Sequence, residues 1–170
     1  VLGAYGEGAA PILDAKGKKG TTDFMSAAIL LYNQEYWEFR DIEVRNFEKG
    51  DPDRPVLKAG ILVLAKDTGT LHDFKLENLK IHKVNGSLDT RENGGVFFNV
   101  LADSIPNERV PTNFDGIYLN KCYFMEVDRC GFQNQSFWRT RDLNSSFGEF
   151  FSQSRQNNWY PSKRILIENC

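Results

Sequence analysis

The chain has 170 residues, a formal net charge of −2, and 41% hydrophobic and 26% charged residues, which is an ordinary balance for a globular protein with a sizeable core. A net charge near zero, without a basic block, argues against a nucleic-acid partner. No apolar run approaches the ~20 residues of a membrane-spanning helix. We therefore expect one domain, residues 1–170, with neither a nucleic-acid partner nor a membrane span.

The predicted elements of the N-terminal part are short strands. Apolar pairs at residues 1–2 and 12–13 lie in Gly- and Pro-rich sequence and predict two of them. The apolar run 27–32 predicts a buried strand, followed by a corner at Asn33. The next stretch, residues 39–44, alternates apolar and polar side chains, and this period of two favours a strand over a helix.

The stretch FRDIEV at residues 39–44 recurs along the chain. It returns as FKLENLKI at 74–81, as IYLNKCYF at 117–124 and as ILIENC at 165–170. The copies share alternating apolar positions around one polar residue, and that residue is in turn Asp41, Asn78, Lys121 and Asn169.

A second marker recurs in step with the first. An apolar strand led by glycine follows each of the first three copies, at Gly60, Gly95 and Gly131. These glycines are 35 and 36 residues apart, whereas the polar positions are 37, 43 and 48 apart. A repeat of 20–50 residues with variable loops is typical of a solenoid.

Each repeat holds about three short strands and no convincing amphipathic helix. Leucine-rich repeats need a consensus that is absent, and propeller blades need recurring hairpin turns. The pattern predicts an all-β fold, a parallel β-helix in which each strand pairs with its equivalent one coil along, ~4.8 Å away. Two rows should then form, one inward and one polar beside it at a corner. The inward row is Ile42, Leu79, Cys122 and Cys170.

The three cysteines do not have the spacing of a metal site, and their odd number gives no disulfide framework. Cys122 and Cys170 occupy the same repeat position, so both should point inward as small apolar residues.

Three stretches carry a resemblance to a known family. YWEFRDIEVRN at 36–46, AGILV at 59–63 and HDFKLENLKIHKV at 72–84 resemble the right-handed parallel β-helix proteins of the pectate-lyase-like superfamily. The opening residues GAYGEG at 3–8 and PILD at 11–14 are similar to the first coils of those proteins.

The resemblance implies a carbohydrate-active enzyme that cleaves glycosidic bonds of an acidic, uronic-acid-containing polysaccharide as a lyase or a glycoside hydrolase. It also implies secretion, to the extracellular space or periplasm, and by itself admits a bound Ca²⁺. The alternatives are a non-catalytic carbohydrate-binding or adhesion segment, or the capping half of an enzyme whose catalytic coils follow Cys170. Because residues 1–4 and 165–170 read as interrupted strands, we expect the N-terminal coils of a longer helix, with the remaining coils as partner.

The candidate catalytic residues precede the Gly-led strands. Aligning those strands makes Glu92 and Asp128 neighbours on adjacent coils, with Arg129 beside them. Two carboxyl groups on neighbouring coils have a separation that glycosidases use. The alternative is a solvated corner with an arginine–carboxylate pair.

The candidate binding residues lie in the longest insertion, 135–160. Its aromatic side chains suit sugar rings, and its arginines suit carboxylates or sulfates. The alternative is a loop that packs its own aromatics against the solenoid. The residues predicted to bind substrate are Trp138, Arg139, Arg141, Trp159 and Tyr160.

Two further residues carry titratable groups near the corners. His82 could act as a general base or metal ligand, but a corner histidine bonded to backbone is the expected role. Lys121 departs from the Asp or Asn of its row and could act as a base, but a solvated corner lysine is expected. No metal site is predicted from the residues.

Overall fold

The computed structural model describes residues 1–17, 25–49, 57–89, 92–139 and 159–170. Within these ranges the chain forms strands and two 3₁₀ turns, at Pro106–Glu108 and Phe137–Arg139, and no α-helix. No helix there is long and apolar enough to cross a membrane. The strands are β1 (Leu2–Gly3), β2 (Ile12–Asp14), β3 (Met25–Tyr32), β4 (Glu38–Arg40), β5 (Glu43–Asn46), β6 (Leu57–Lys66), β7 (Thr70–Glu77), β8 (Lys80–Val84), β9 (Gly94–Leu101), β10 (Asn113–Asn120), β11 (Tyr123–Val127), β12 (Cys130–Ser136) and β13 (Lys163–Glu168).

The strands form three parallel sheets. The first sheet has the order β1-β4-β7-β10-β13, the second β11-β8-β5-β2 and the third β12-β9-β6-β3. Successive strands of the chain enter successive sheets, so three strands complete one coil and each sheet gains one strand per coil. This is the predicted parallel β-helix, and the prediction of about three strands per coil is confirmed.

The pairing register confirms the repeat alignment. Phe39 pairs with Leu76, Leu76 with Leu119, and Ile117 with Ile165. Continuing this register brings Ile42, Leu79, Cys122 and Cys170 into one row. The first three are buried in the core, and the backbone N–H of Cys122 lies 3.3 Å from Cys170 Sγ. Cys170 itself is exposed, because β13 is the edge strand of its sheet.

The polar row marks a sharp corner of each coil. All four of its residues have a left-handed backbone, with φ of 56° at Asp41, 51° at Asn78, 53° at Lys121 and 54° at Asn169. Asn and Asp tolerate this conformation better than other non-glycine residues. Side chains also bond along the row, since Asn78 Nδ2 donates to Asp41 Oδ1 at 2.7 Å. Lys121 is exposed, which confirms the expected solvated corner lysine.

The Gly-led row lies at the bend between the second and third sheets. A Cβ on Gly95 would lie 2.7 Å from the Gly131 carbonyl oxygen and 2.7 Å from Phe124 Cδ1. A Cβ on Gly60 would lie 2.7 Å from the Gly95 oxygen and 3.0 Å from Ile81 Cγ2. The glycines recur because core side chains of the second sheet fill the space where their own side chains would go.

Candidate functional site

The structure brings the predicted acid pair to the same end of two neighbouring strands. Cys130 pairs with Gly94, so this register, extended two residues back, sets Asp128 opposite Glu92. The backbone N–H of Asp128 donates to the Val84 carbonyl oxygen at 2.9 Å. Both acids are half-buried. Their catalytic role stays a prediction, as does that of Arg129, which is exposed with φ of 76°.

The outer face of the third sheet, which the Gly-led strands form, is closed along its middle. Leu62 and Phe97 point away from the main core into a separate apolar cluster, and both are fully buried. Lys58 is 1% exposed, and its Nζ lies 3.0 Å from Glu48 Oε2. A substrate therefore has no open surface along the middle of β6 and β9.

Trp138 packs into the solenoid rather than facing solvent. It is 5% exposed and belongs to the main core, and its ring makes edge contacts with Phe137 at 5.5 Å and Tyr160 at 5.6 Å. The Tyr160 N–H donates to the Trp138 carbonyl oxygen at 3.1 Å. Arg109 covers the Phe137 ring at 5.0 Å. For Trp138 this is the alternative in which the insertion packs its own aromatics against the solenoid. An indole ring enclosed in this way has no face available to a sugar.

The other predicted binding residues are less constrained. Trp159 and Tyr160 are half-buried. Arg141 lies outside the described residues, and the description of Arg139 stops at its backbone. Substrate binding by this cluster stays a prediction.

The first sheet, in contrast, presents an open outer face. Along β7 the side chains alternate, so that Leu76 is buried while Lys75 is exposed and Glu77 lies at the surface. The register stacks the outward positions of successive strands into two columns. One column holds Glu38, Lys75, Tyr118 and Leu166, and the other holds Arg40, Glu77, Asn120 and Glu168.

A notch interrupts this face where the strands bend. Four aligned residues have positive φ, namely Tyr36 at 60°, Asp73 at 52°, Gly116 at 95° and Arg164 at 50°. A Cβ at Gly116 would collide with Asp73 Oδ1 and lie 3.2 Å from an Arg164 guanidinium nitrogen. The missing side chain helps to open a cavity of about 330 Å³, which Lys75 also lines.

Arg164 donates hydrogen bonds to two carboxylates of the notch. Arg164 Nε donates to Asp115 Oδ1 at 2.6 Å, and its terminal nitrogen donates to Asp73 Oδ1 at 3.3 Å. The bond from Arg164 holds the pKa of Asp115 below its ordinary value of 3.8. Asp115 pairs with His72 in register, so the two aspartates are on adjacent coils and diagonal to each other.

A second polar pair borders the notch. The Tyr118 hydroxyl donates to Glu168 Oε1 at 2.6 Å, and this bond raises the pKa of Tyr118 to about 12. The phenol is therefore protonated at neutral pH and acts as a donor rather than a base. Glu168 stacks two coils from Glu77, with Asn120 between them.

The spacing between coils is of the same order as the carboxylate separations used in sugar chemistry. Adjacent coils are ~4.8 Å apart and alternate coils ~9.6 Å apart. Retaining glycosidases use carboxyl groups ~5–5.5 Å apart, and inverting ones use ~6.5–9.5 Å. The face can thus hold sugar hydroxyls between ionised carboxylates, a phenol donor and a guanidinium. The sequence analysis assigned no functional residue to the outward positions of these repeated strands.

His82 belongs to a different polar cluster, on the second sheet. The expected bond to backbone is wrong, because His82 Nε2 lies 2.9 Å from Glu43 Oε2 and the ring is buried. Glu43 also contacts Lys80 Nζ at 3.3 Å. The bond from His82 lowers the pKa of Glu43. Within this cluster, Glu43 and Lys80 form an ion pair.

The described residues offer no cluster of acidic side chains for the Ca²⁺ that the family resemblance admits. Nowhere among them do three His, Cys, Asp or Glu side chains converge as a metal site requires.

The fold is shared with solved glycoside hydrolase structures. The native and selenomethionine crystal structures of GH136 lacto-N-biosidase from Eubacterium ramulus align to it with TM-scores of 0.71 and 0.70 and 25% sequence identity. The alignments cover 97% and 96% of this chain but 30% and 29% of the hydrolase chains. The chain therefore spans about three tenths of their length. No family model matches the chain, and no curated protein matches it.

Proposed function

We propose that this chain forms part of a carbohydrate-active β-helix enzyme that hydrolyses glycosidic bonds, and that its glycan binds along the outer face of the first sheet. The observation that carries the proposal is the notch at Gly116, where Arg164 joins Asp73 and Asp115 on an open face. The likeness to a GH136 lacto-N-biosidase over nearly the whole chain supports a carbohydrate substrate.

A neutral glycan suits this face better than an acidic one. The arginines that line the described part of the face, Arg40 and Arg164, both contact carboxylates. An acidic sugar would have to compete for them with Glu38 and Asp115. Carboxylates instead accept hydrogen bonds from sugar hydroxyls, and charge-assisted bonds of this kind are the stronger ones.

A lyase acting on an acidic polysaccharide is the second candidate. Lys75 lines the same cavity as Tyr118 and Arg164. In that reaction Lys75 would remove the proton beside the uronate carboxylate, and Arg164 would neutralise the carboxylate. The two reactions differ in product, because a lyase leaves an unsaturated sugar and a hydrolase does not.

The acid pair Glu92 and Asp128, with Arg129, is the competing proposal for the catalytic group. It belongs to the end of the Gly-led strands, and the notch belongs to the first sheet, so the two sites lie on different sheets of the coil. They cannot both surround one scissile bond.

The test compares matched variants of the full natural protein that contains this chain. Arg164→Gln and Asp115→Asn change the notch, and Glu92→Gln and Asp128→Asn change the other site. Release of reducing sugar is measured on neutral oligosaccharides and on uronate polymers, together with ultraviolet absorbance of unsaturated products. We expect hydrolysis to be lost in the notch variants alone. The rate should fall by about 10²-fold or more, which is the usual effect of removing one transition-state contact.

Several outcomes would overturn the proposal. Loss in the Glu92 and Asp128 variants alone would assign catalysis to the competing site. Unsaturated products would establish the lyase. Glycan binding that the notch variants weaken, without release of any sugar, would leave a binding or adhesion segment.

We also propose that the protein is secreted and belongs to the pectate-lyase-like superfamily. Three-strand coils, a row of polar corner residues and inward apolar rows support the superfamily assignment. Secretion is tested by comparing its amount in the culture medium or periplasm with that in the cytoplasmic fraction of its source. Recovery from the cytoplasmic fraction alone would contradict it.

A further inference from the structure

Asp115 of the notch has basic side chains on both sides of it. It lies on β10 and pairs in register with His72 on β7 and with Lys163 on β13. Adjacent coils are ~4.8 Å apart, so His72 and Lys163 flank the aspartate along the axis of the solenoid. Arg164 Nε adds a direct bond to Asp115 Oδ1 at 2.6 Å. The carboxylate therefore has a basic neighbour on each adjoining strand, in addition to the arginine that bonds to it.

The preceding coil holds the His72 imidazole in this position. The ring stacks on Tyr36, with centroids 6.2 Å apart and ring planes at 13° to each other. The Tyr36 N–H donates to the His72 carbonyl oxygen at 2.8 Å, and the His72 backbone N–H donates to Glu35 Oε2 at 3.0 Å. The imidazole thus has a fixed place between Tyr36 and the strand that carries Asp115.

The three basic residues act on the aspartate in the same direction. The bond from Arg164 is the main reason that the pKa of Asp115 lies below its ordinary value of 3.8. Burial opposes that bond, and the charges of Arg164, Lys163 and His72 lower the pKa further. Arginine and lysine are charged throughout the neutral and acidic range, whereas a histidine gains its charge between about pH 8 and 5. The histidine therefore adds its charge in acid, where a carboxylate is closest to losing its own.

We propose that His72 is a positioning residue of the notch, which by gaining a proton in acid helps to keep Asp115 ionised and paired with Arg164. The glycan site thereby keeps its geometry in a mildly acidic medium. The effect on hydrolysis rests on the proposed function, whereas the interaction between His72 and Asp115 can be measured without any substrate.

Two other carboxylates face the same positive groups. Glu35 lies beside His72 through the bond to its backbone N–H. Asp73 shares Arg164, whose terminal nitrogen lies 3.3 Å from Asp73 Oδ1. Glu35 can therefore compete with Asp115 for the charge of His72, and Asp73 competes with it for the charge of Arg164. Each of the three carboxylates has to be followed separately.

The experiment follows the side-chain carboxyl signals of the full natural protein by NMR from about pH 2 to 7, the range in which carboxyl groups titrate. His72→Phe keeps a ring against Tyr36 but removes the charge. We expect it to raise the pKa of Asp115, by less than Arg164→Gln does, because the imidazole acts through its charge and the guanidinium also through a direct bond. His72→Lys restores a charge without the ring and should return the Asp115 titration toward that of the natural protein.

Hydrolysis gives a second measurement. In His72→Phe the acidic limb of the kcat/KM profile should move to higher pH, because Asp115 then takes up its proton at a higher pH. His72→Lys should move the limb back. A raised Asp115 pKa in His72→Phe, in a protein that releases no sugar from any glycan, would support this inference and contradict the proposed function alone.

Two results would overturn the inference. One is an Asp115 titration that is the same in His72→Phe as in the natural protein. The other is a change confined to Glu35, which would mean that the charge of His72 acts on that carboxylate instead.

Discussion

The first and third sheets of the solenoid share one coil but have different outer faces. The strand β7 of the first sheet alternates, with exposed Lys75 beside buried Leu76. In the third sheet Leu62 and Phe97 point outward and are nevertheless buried. Stacking the coil thus guarantees an inward core on every sheet but leaves each outer face free to be open or closed. Only an open face can receive a polymer.

The largest expected effect comes from making the same substitution, Leu→Ala, once on the closed face and once on the open face. Leu62→Ala should lower the free energy of unfolding by about 2–5 kcal/mol, because it leaves a cavity in a closed cluster. Leu166→Ala removes the same atoms from an exposed position on β13. This substitution should change the free energy of unfolding by less than about 1 kcal/mol. Urea unfolding measures both. Equal losses would mean that the outer faces do not differ.

A smaller effect is expected at the Gly-led row. Gly95→Ala should cost about 1–3 kcal/mol, because the new methyl group meets both the Gly131 oxygen and the Phe124 ring. At Gly131 the nearest atoms to a Cβ all belong to Phe124. Phe124→Leu should therefore relieve Gly131→Ala but not Gly95→Ala. Thermal unfolding of the two double variants checks this, and equal relief would contradict the backbone collision.

The smallest effect is electrostatic and lies on the open face. Arg164 lowers the pKa of Asp115, so their pairing stabilises the fold above the ordinary pKa of 3.8 and loses its effect as pH falls through the lowered value. Arg164→Gln should raise the Asp115 pKa toward 3.8, as measured by carboxyl NMR titration. Asp103, held at a pKa of about 2 chiefly by the Ile105 N–H and then by Lys66, should not change. An unmoved Asp115 would contradict the pairing.

The rows of the solenoid were predictable from the sequence. A residue such as Leu79 must repeat its side-chain type on every coil because it stacks on its own equivalents, and the Gly60 row repeats because the interior leaves it no room. Because equivalent residues stack, the fold produces residue spacings that can be counted directly in the sequence. The inward cysteine row followed in the same way.

The closed face left a signal that was missed. Residues 59–65 are apolar at every position apart from Gly60, which is typical of a strand covered on both faces. The strand was interpreted only by its leading glycine, and the cover over its outer face was not predicted. Alternation in β7 was the better indicator of an open surface.

The notch has no linear motif. Asp73, Gly116 and Arg164 come from three successive strands of the first sheet, and each occupies a bend that only the backbone angles reveal. The burial of Trp138 likewise depends on contacts with Phe137 and Tyr160. Long-range packing of this kind overrides what residue type suggests about a loop.

The corner row has an evolutionary consequence. Its four positions all require a left-handed backbone, yet Asp41, Asn78 and Lys121 all satisfy it, so the constraint is conformational and tolerates substitution. Inward positions likewise accept different apolar side chains of fitting volume. Lineages of such coils can therefore diverge in residue identity while the coil stays in place. A shared coil with a TM-score of 0.70 at 25% sequence identity is in keeping with this tolerance.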